Sequence, residues 1–116
     1  MFIVNGILVV DDDAGIRETL SDIINDHTKR VCAVAQDGFE AITKTMSHHY
    51  DLILMDIRMP GISGVDAYKR MISNDPDLHI ILMTAGSTDV IDTFYHVIVL
   101  SKPIDIPYLL HIIDSM

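Results

Sequence analysis

Asp51-Leu52-Ile53-Leu54-Met55-Asp56-Ile57-Arg58-Met59-Pro60-Gly61 decides the fold. Leu52 to Met55 is a short apolar run of the kind carried by a strand buried on both faces. It stops on Asp56, and the Pro60-Gly61 pair marks a turn. Asp56 therefore stands where a buried strand surfaces, the edge at which open α/β sheets bind ligands. Taken alone, the segment leaves Asp56 open as a nucleophile, a metal ligand or a plain loop cap.

The same pattern recurs on both sides of this stretch. Ile7 to Val10 reads as a first strand and runs into Asp11-Asp12-Asp13. Residues 14 to 26 carry Ile16, Leu20, Ile23 and Ile24, the stripe of an amphipathic helix, with Asp13 placed to cap it. Val31 to Ala35 is a second strand. Residues 38 to 48 are a helix with Phe39, Ile42 and Met46 on one face. After the third strand, residues 64 to 73 form a helix with Val65, Tyr68 and Ile72 turned inward, closed by Asn74-Asp75-Pro76. Ile80 to Met83 is a fourth strand, ending on Thr84. Val97 to Leu100 is a fifth, ending on Ser101-Lys102-Pro103. A last helix begins near residue 105, with Leu109, Leu110, Ile112 and Ile113.

Alternating strands and helices imply a parallel sheet covered by helices on both faces. Asp11 or Asp12, Asp56, Thr84 and Lys102 then leave the same carboxyl edge and meet if their strands are neighbours. Clustered carboxylates repel, and a bound cation relieves that cost. Oxygen ligands without Cys or His suit a hard ion, with Mg2+ favoured because it keeps water and phosphate oxygens as further ligands. Lys102 and Thr84 add a positive charge and a hydroxyl donor for a phosphoryl group. Asp56 is then placed to attack phosphorus and form an acyl phosphate.

Composition narrows the function classes. The 116 residues carry 8 Lys and Arg against 17 Asp and Glu, a formal charge of −9. That balance argues against direct binding of nucleic acid or of an anionic membrane surface. With 49% hydrophobic and 22% charged residues, disorder is not expected, and the length suits one domain, residues 1–116. Cys32 is the only cysteine, so no internal disulfide forms, and its apolar neighbours make it a small core residue. Met1 to Val10 lacks the basic leader of a signal peptide and no run is long enough to span a bilayer, so a cytoplasmic protein is expected.

Four blocks of this chain resemble the receiver domain of two-component response regulators. They are Ile7-Leu8-Val9-Val10-Asp11-Asp12-Asp13, the stretch from Asp51 to Gly61, Met83-Thr84-Ala85, and Lys102-Pro103. The resemblance implies a flavodoxin-like (βα)5 fold with strand order 2-1-3-4-5. It implies Asp56 as phosphoacceptor and an Mg2+ held by Asp12 and Asp56, with Asp11 acting through a water and the Ile57 carbonyl as a further ligand. Thr84 would bond the phosphoryl group and Lys102 would pair with it. The Lys102-Pro103 bond is expected cis. Ala85 would leave room beside the phosphate, and Arg58 and Gly86 would tune access of water. The implied partners are a sensor histidine kinase or histidine phosphotransfer protein, and an effector domain or downstream protein.

Two features depart from that family. Seventeen residues lie between Thr84 and Lys102, leaving 85 to 96 for loop, helix and loop. With loops of about three residues, roughly six remain for a helix of about 9 Å. The fourth helix is therefore expected to be short, distorted or absent, with Val90, Ile91, Phe94 and Tyr95 available to pin the segment. Val99 stands where receivers usually carry an aromatic residue. Phosphoacceptor, degenerate interaction module and aspartyl phosphohydrolase are the function classes to weigh. The third is weakened because Arg58 is not the second acid such hydrolases carry. His48-His49 and the methionines read as surface and packing residues.

Overall fold

A computed structural model describes residues 6–86 and 97–116. The expected fourth helix, with Val90, Ile91, Phe94 and Tyr95, lies outside the described residues. Five parallel strands form one sheet: β1 (Gly6–Val10), β2 (Val31–Ala35), β3 (Leu52–Asp56), β4 (Ile80–Thr84) and β5 (Ile98–Ser101). Their order is β2-β1-β3-β4-β5. Four described helices accompany them: α1 (Ala14–His27), α2 (Gly38–Ser47), α3 (Gly64–Asn74) and α4 (Ile106–Asp114). This is the expected flavodoxin-like strand order, and the expected strands recur within a residue or so at each end.

Every residue of β1, β3 and β4 is buried. Alternate side chains enter opposite cores, because successive residues of a strand face opposite ways. Leu8, Val10, Ile53, Met55 and Leu82 join the core that includes Ala41, Ala67 and Met71 of α2 and α3. Ile7, Val9, Leu52, Leu54, Ile81 and Met83 join Leu20, Ile24, Leu109 and Ile113 of α1 and α4.

Each helix opens on a side-chain cap that occupies an otherwise unpaired amide. Asp13 accepts from Ile16 N, Asp37 from Glu40 N, Ser63 from Asp66 N and Asp105 from Tyr108 N. Of the apolar residues grouped on one face of α2, Ile42 packs partly buried against the core while Phe39 and Met46 turn outward. Phe39 is 52% and Met46 72% exposed, while Gly38 and Ala41 are buried. Small residues win this face because α3 lies close. A Cβ on Gly38 would stand 2.5 Å from Ile62 Cγ2 and 3.1 Å from Ala67 Cβ. On α3 the buried residues are Gly64, Ala67 and Met71, with Val65, Tyr68 and Ile72 packed partly buried around them.

The β2 edge of the sheet is closed by side chains. Ala35 O faces inward to Asp11 N, so Cys32 and Val34 turn their backbone groups outward. Asn25 Oδ1 accepts from Cys32 N at 3.2 Å, and Lys44 Nζ donates to Val34 O. Glu40 supports Lys44 at 3.2 Å and accepts from Gln36 N. Bare strand edges recruit further strands, and a lysine on the edge opposes this. Lys44→Met is expected to lower stability by roughly 1 kcal/mol. Combined with Asn25→Leu, it should increase concentration-dependent self-association over the wild type in sedimentation velocity.

Candidate functional site

The site lies at the carboxyl edge of β1, β3, β4 and β5. Asp11 follows β1, Asp56 and Thr84 end β3 and β4, and Lys102 follows β5. Asp11, Asp56 and Thr84 are buried, with Asp11 only 1% exposed. Lys102 Nζ is 2.7 Å from Asp11 Oδ2 and 3.5 Å from Asp56 Oδ2. Asp12 is exposed and contributes from the rim. Asp11, Asp12 and Asp56 each offer a carboxylate oxygen, all within 4.8 Å of one another. The four strand ends anticipated from the sequence thus converge.

Backbone geometry fixes each member. Lys102 N donates to Thr84 O at 2.7 Å, so β5 delivers the lysine by continuing its pairing with β4. The Lys102-Pro103 peptide is cis. Asp11 Oδ1 accepts from Asp13 N at 3.0 Å, and Arg17 Nη1 donates to Asp11 O at 2.8 Å. Arg17 was not singled out in the sequence, where it reads as a polar position of an amphipathic helix. Thr84 Oγ1 accepts from Gly86 N at 3.0 Å. The Arg58 guanidinium lies alongside, its Nη2 3.3 Å from where a Gly86 Cβ would stand. The two positions expected to tune water access are therefore neighbours.

The expected role of the Ile57 carbonyl meets a competing contact. Ile57 O accepts from Gly64 N at 2.7 Å, which ties it to the start of α3. Gly64 can approach that closely because it has no side chain: a Cβ there would stand 2.2 Å from Asp56 O. No feature of the sequence marked Gly64 as essential, since its role is a close approach between two segments.

Charge is unevenly stabilised here. Burial, then the nearby Asp11 carboxylate, push the Asp56 pKa above the usual carboxylate value; Lys102 and the Arg58 backbone N–H oppose the rise. Burial alone would lower the Lys102 pKa, but Asp11 and Asp56 outweigh it and the net shift is upward. The arrangement can bind a hard cation between carboxylates and an anionic oxygen against the ammonium.

The family model of the response regulator receiver domain matches residues 7–114. The chain belongs to that family. This receiver is 36% identical over 86 residues to sporulation initiation phosphotransferase F of Bacillus subtilis (strain 168), covering 73% of this chain and 68% of that one. It is 39% identical over 79 residues to chemotaxis protein CheY of Thermotoga maritima, covering 68% and 66%. With the protein-glutamate methylesterase/protein-glutamine glutaminase of Haloarcula marismortui it shares 35% over 82 residues, 71% of this chain but 22% of that protein's length. The response regulator TrrA of Thermotoga maritima, solved in complex with Mg2+-BeF, superposes with a TM-score of 0.86 at 32% identity, covering 97% and 98% of the two chains. The receiver is a signalling domain of the two-component type. Among the described residues, no helix is long and apolar enough to cross a membrane.

The raised Asp56 pKa sets the sign of a stability effect. The native state holds that proton more tightly than the unfolded chain, so stability falls as pH rises between the unfolded and folded values. Asp56→Asn should therefore stabilise the metal-free protein at neutral pH by about 1 kcal/mol, read as a higher Tm. Lys102 has linkage of the same sign in a far more alkaline window: its contribution is complete below the ordinary lysine pKa and is lost as pH climbs through the folded one. Lys102→Met leaves two buried carboxylates facing each other and should cost roughly 1–3 kcal/mol in thermal unfolding without metal.

Proposed function

We propose that residues 1–116 act as one cytoplasmic phosphoacceptor receiver. In this reading a phosphoryl group passes from a phosphohistidine of a partner protein to Asp56. The observation that carries it is the placement of Lys102 Nζ against both Asp11 and Asp56, beside a three-carboxylate cluster. The donor set fits Mg2+: it is all oxygen, and its mutual repulsion is relieved by a divalent cation. Asp11, Asp12 and Asp56 would hold that ion, Asp11 through a water. The tie of Ile57 O to Gly64 favours Arg58, one residue on and already against the Asp56 carboxylate, as source of the backbone ligand. The ion supplies charge neutralisation on the oxygens of the transferring group.

An Asp56 carboxylate oxygen attacks phosphorus and forms the new O–P bond. The N–P bond to the donor imidazole breaks, and the imidazole leaves with that electron pair and takes a proton from solvent. Lys102 pairs with a phosphoryl oxygen, and the Thr84 hydroxyl turns from Gly86 N to donate to another. The chain's own chemistry ends with gain and loss of this phosphoryl group, so it is not an enzyme acting on separate substrates. A sensor kinase or histidine phosphotransfer protein is the upstream partner, and an effector domain or downstream protein reads the change. An apolar groove of about 730 Å³ beside the site, lined by Ile16, Leu20, Ile23, Ile104 and Ile106, offers the donor protein a surface ending at Lys102.

Val99 favours a second reading, an interaction module that is never phosphorylated. It is half-buried in β5 opposite Leu82 and has no ring to follow Thr84. Acetyl phosphate with Mg2+ separates the two. The phosphoacceptor reading expects a mass gain of one phosphoryl group, abolished by EDTA and by Asp56→Asn. No gain in the wild type under these conditions favours the interaction module.

A further inference from the structure

We propose that Phe39, on the first turn of α2, is a positioning residue for the Asp56 site. It acts through the loop of residues 57–63 and rests on the phosphoacceptor reading above. Phe39 does not serve the core: its side chain is half in solvent while Gly38 and Ala41 fill the inward face. What it covers is Gly61, at φ +86°, the one positive φ among the described residues. A Cβ at Gly61 would stand 3.3 Å from Phe39 Cε2 and 3.6 Å from Cδ2, so the ring lies directly against that backbone. The preceding residue, Gly38, is pressed on Ile62 in the same way. The Arg70 guanidinium of α3 holds the ring in turn, 5.9 Å from its centroid.

The loop is fastened at both ends. Ile57 N donates to Met83 O at 2.9 Å, and Gly64 N closes on Ile57 O at 2.7 Å. Between these ties sits Arg58. Its backbone N–H shares a peptide plane with Ile57 O and favours the charged form of Asp56, and its guanidinium borders Gly86. A glycine at positive φ has other conformations within easy reach. Contact of Gly61 with Phe39 and of Ile62 with Gly38 limits the loop to one of them, and so limits where the Arg58 amide lies. Loss of the ring frees Gly61 and loosens the Gly64 N to Ile57 O tie that holds this peptide plane. The Arg58 N–H then no longer keeps a fixed place beside Asp56, without any change in the residues that touch the phosphoryl group.

The test uses the whole chain with Mg2+ and acetyl phosphate. Phe39→Ala is expected to lower the rate of phosphorylation by about ten-fold, since small misplacements at a reacting centre are costly. The Arg58 amide resonance should move or broaden in the metal-free protein, while amides of β2 stay in place. Phe39→Tyr keeps the ring and should restore both readouts. Phe39→Leu keeps apolar volume and a stable fold and should fall between Ala and Tyr. Wild-type phosphorylation rates in both Phe39→Ala and Phe39→Leu, with the Arg58 amide unmoved, would overturn the proposal. If the wild type itself takes no phosphoryl group, the phosphoacceptor reading fails. The Arg58 resonance then decides the positioning role alone.

Discussion

Asp11 and Asp56 share a buried rim with one ammonium, Lys102 Nζ, and the carboxyl edge of the sheet is arranged around the charge they carry. Parallel strands bring the carboxylates together because β1 and β3 are neighbours that end at the same level. Burial then denies them the water that would screen their repulsion. The compensating charge comes from 91 residues beyond Asp11. Its position is secured by strand pairing, through Lys102 N on Thr84 O, and not by any local motif. The lysine thus stabilises the resting fold and stands where an incoming anion is neutralised.

The turn after β3 is where that edge is tuned. Gly64 allows α3 to start against the backbone of Asp56 and Ile57, and the Gly64 N to Ile57 O bond closes the segment between them. Closing it commits one carbonyl and leaves Arg58 facing the carboxylate. A short closed loop of this kind converts packing on its outer side, at Gly61 and Ile62, into placement of atoms on its inner side. Two close approaches that only glycine permits, Gly38 on Ile62 and Gly64 on Asp56 O, set both sides of this lever.

Much of this was legible in the chain because it depends on local pattern. Ile7 to Val10, Leu52 to Met55 and Ile80 to Met83 are continuous apolar runs, as strands buried on both faces must be, and each ends on or before a polar residue that reaches the rim. Asp13 read correctly as a cap because its role is set within three residues. The outward turn of Phe39 and Met46 was not legible. Helical spacing groups apolar residues but does not say which face a neighbouring helix will approach, and here close approach selected Gly38 and Ala41. The Ile57 carbonyl belongs to the same class: its partner, Gly64 N, is set by the path of a turn. Lys44 and Asn25 likewise read as ordinary surface residues until the order of strands made β2 an edge.

Alternation along the central strands has a wider consequence. Leu8 and Val10 enter one layer and Ile7 and Val9 the other, so the two helical layers touch the same backbone but share few side-chain neighbours. Free-energy changes from substitutions on opposite sides should then be close to additive. A lineage carrying this fold can remodel one flank while the other drifts separately, so long as the strand backbones between them keep their register.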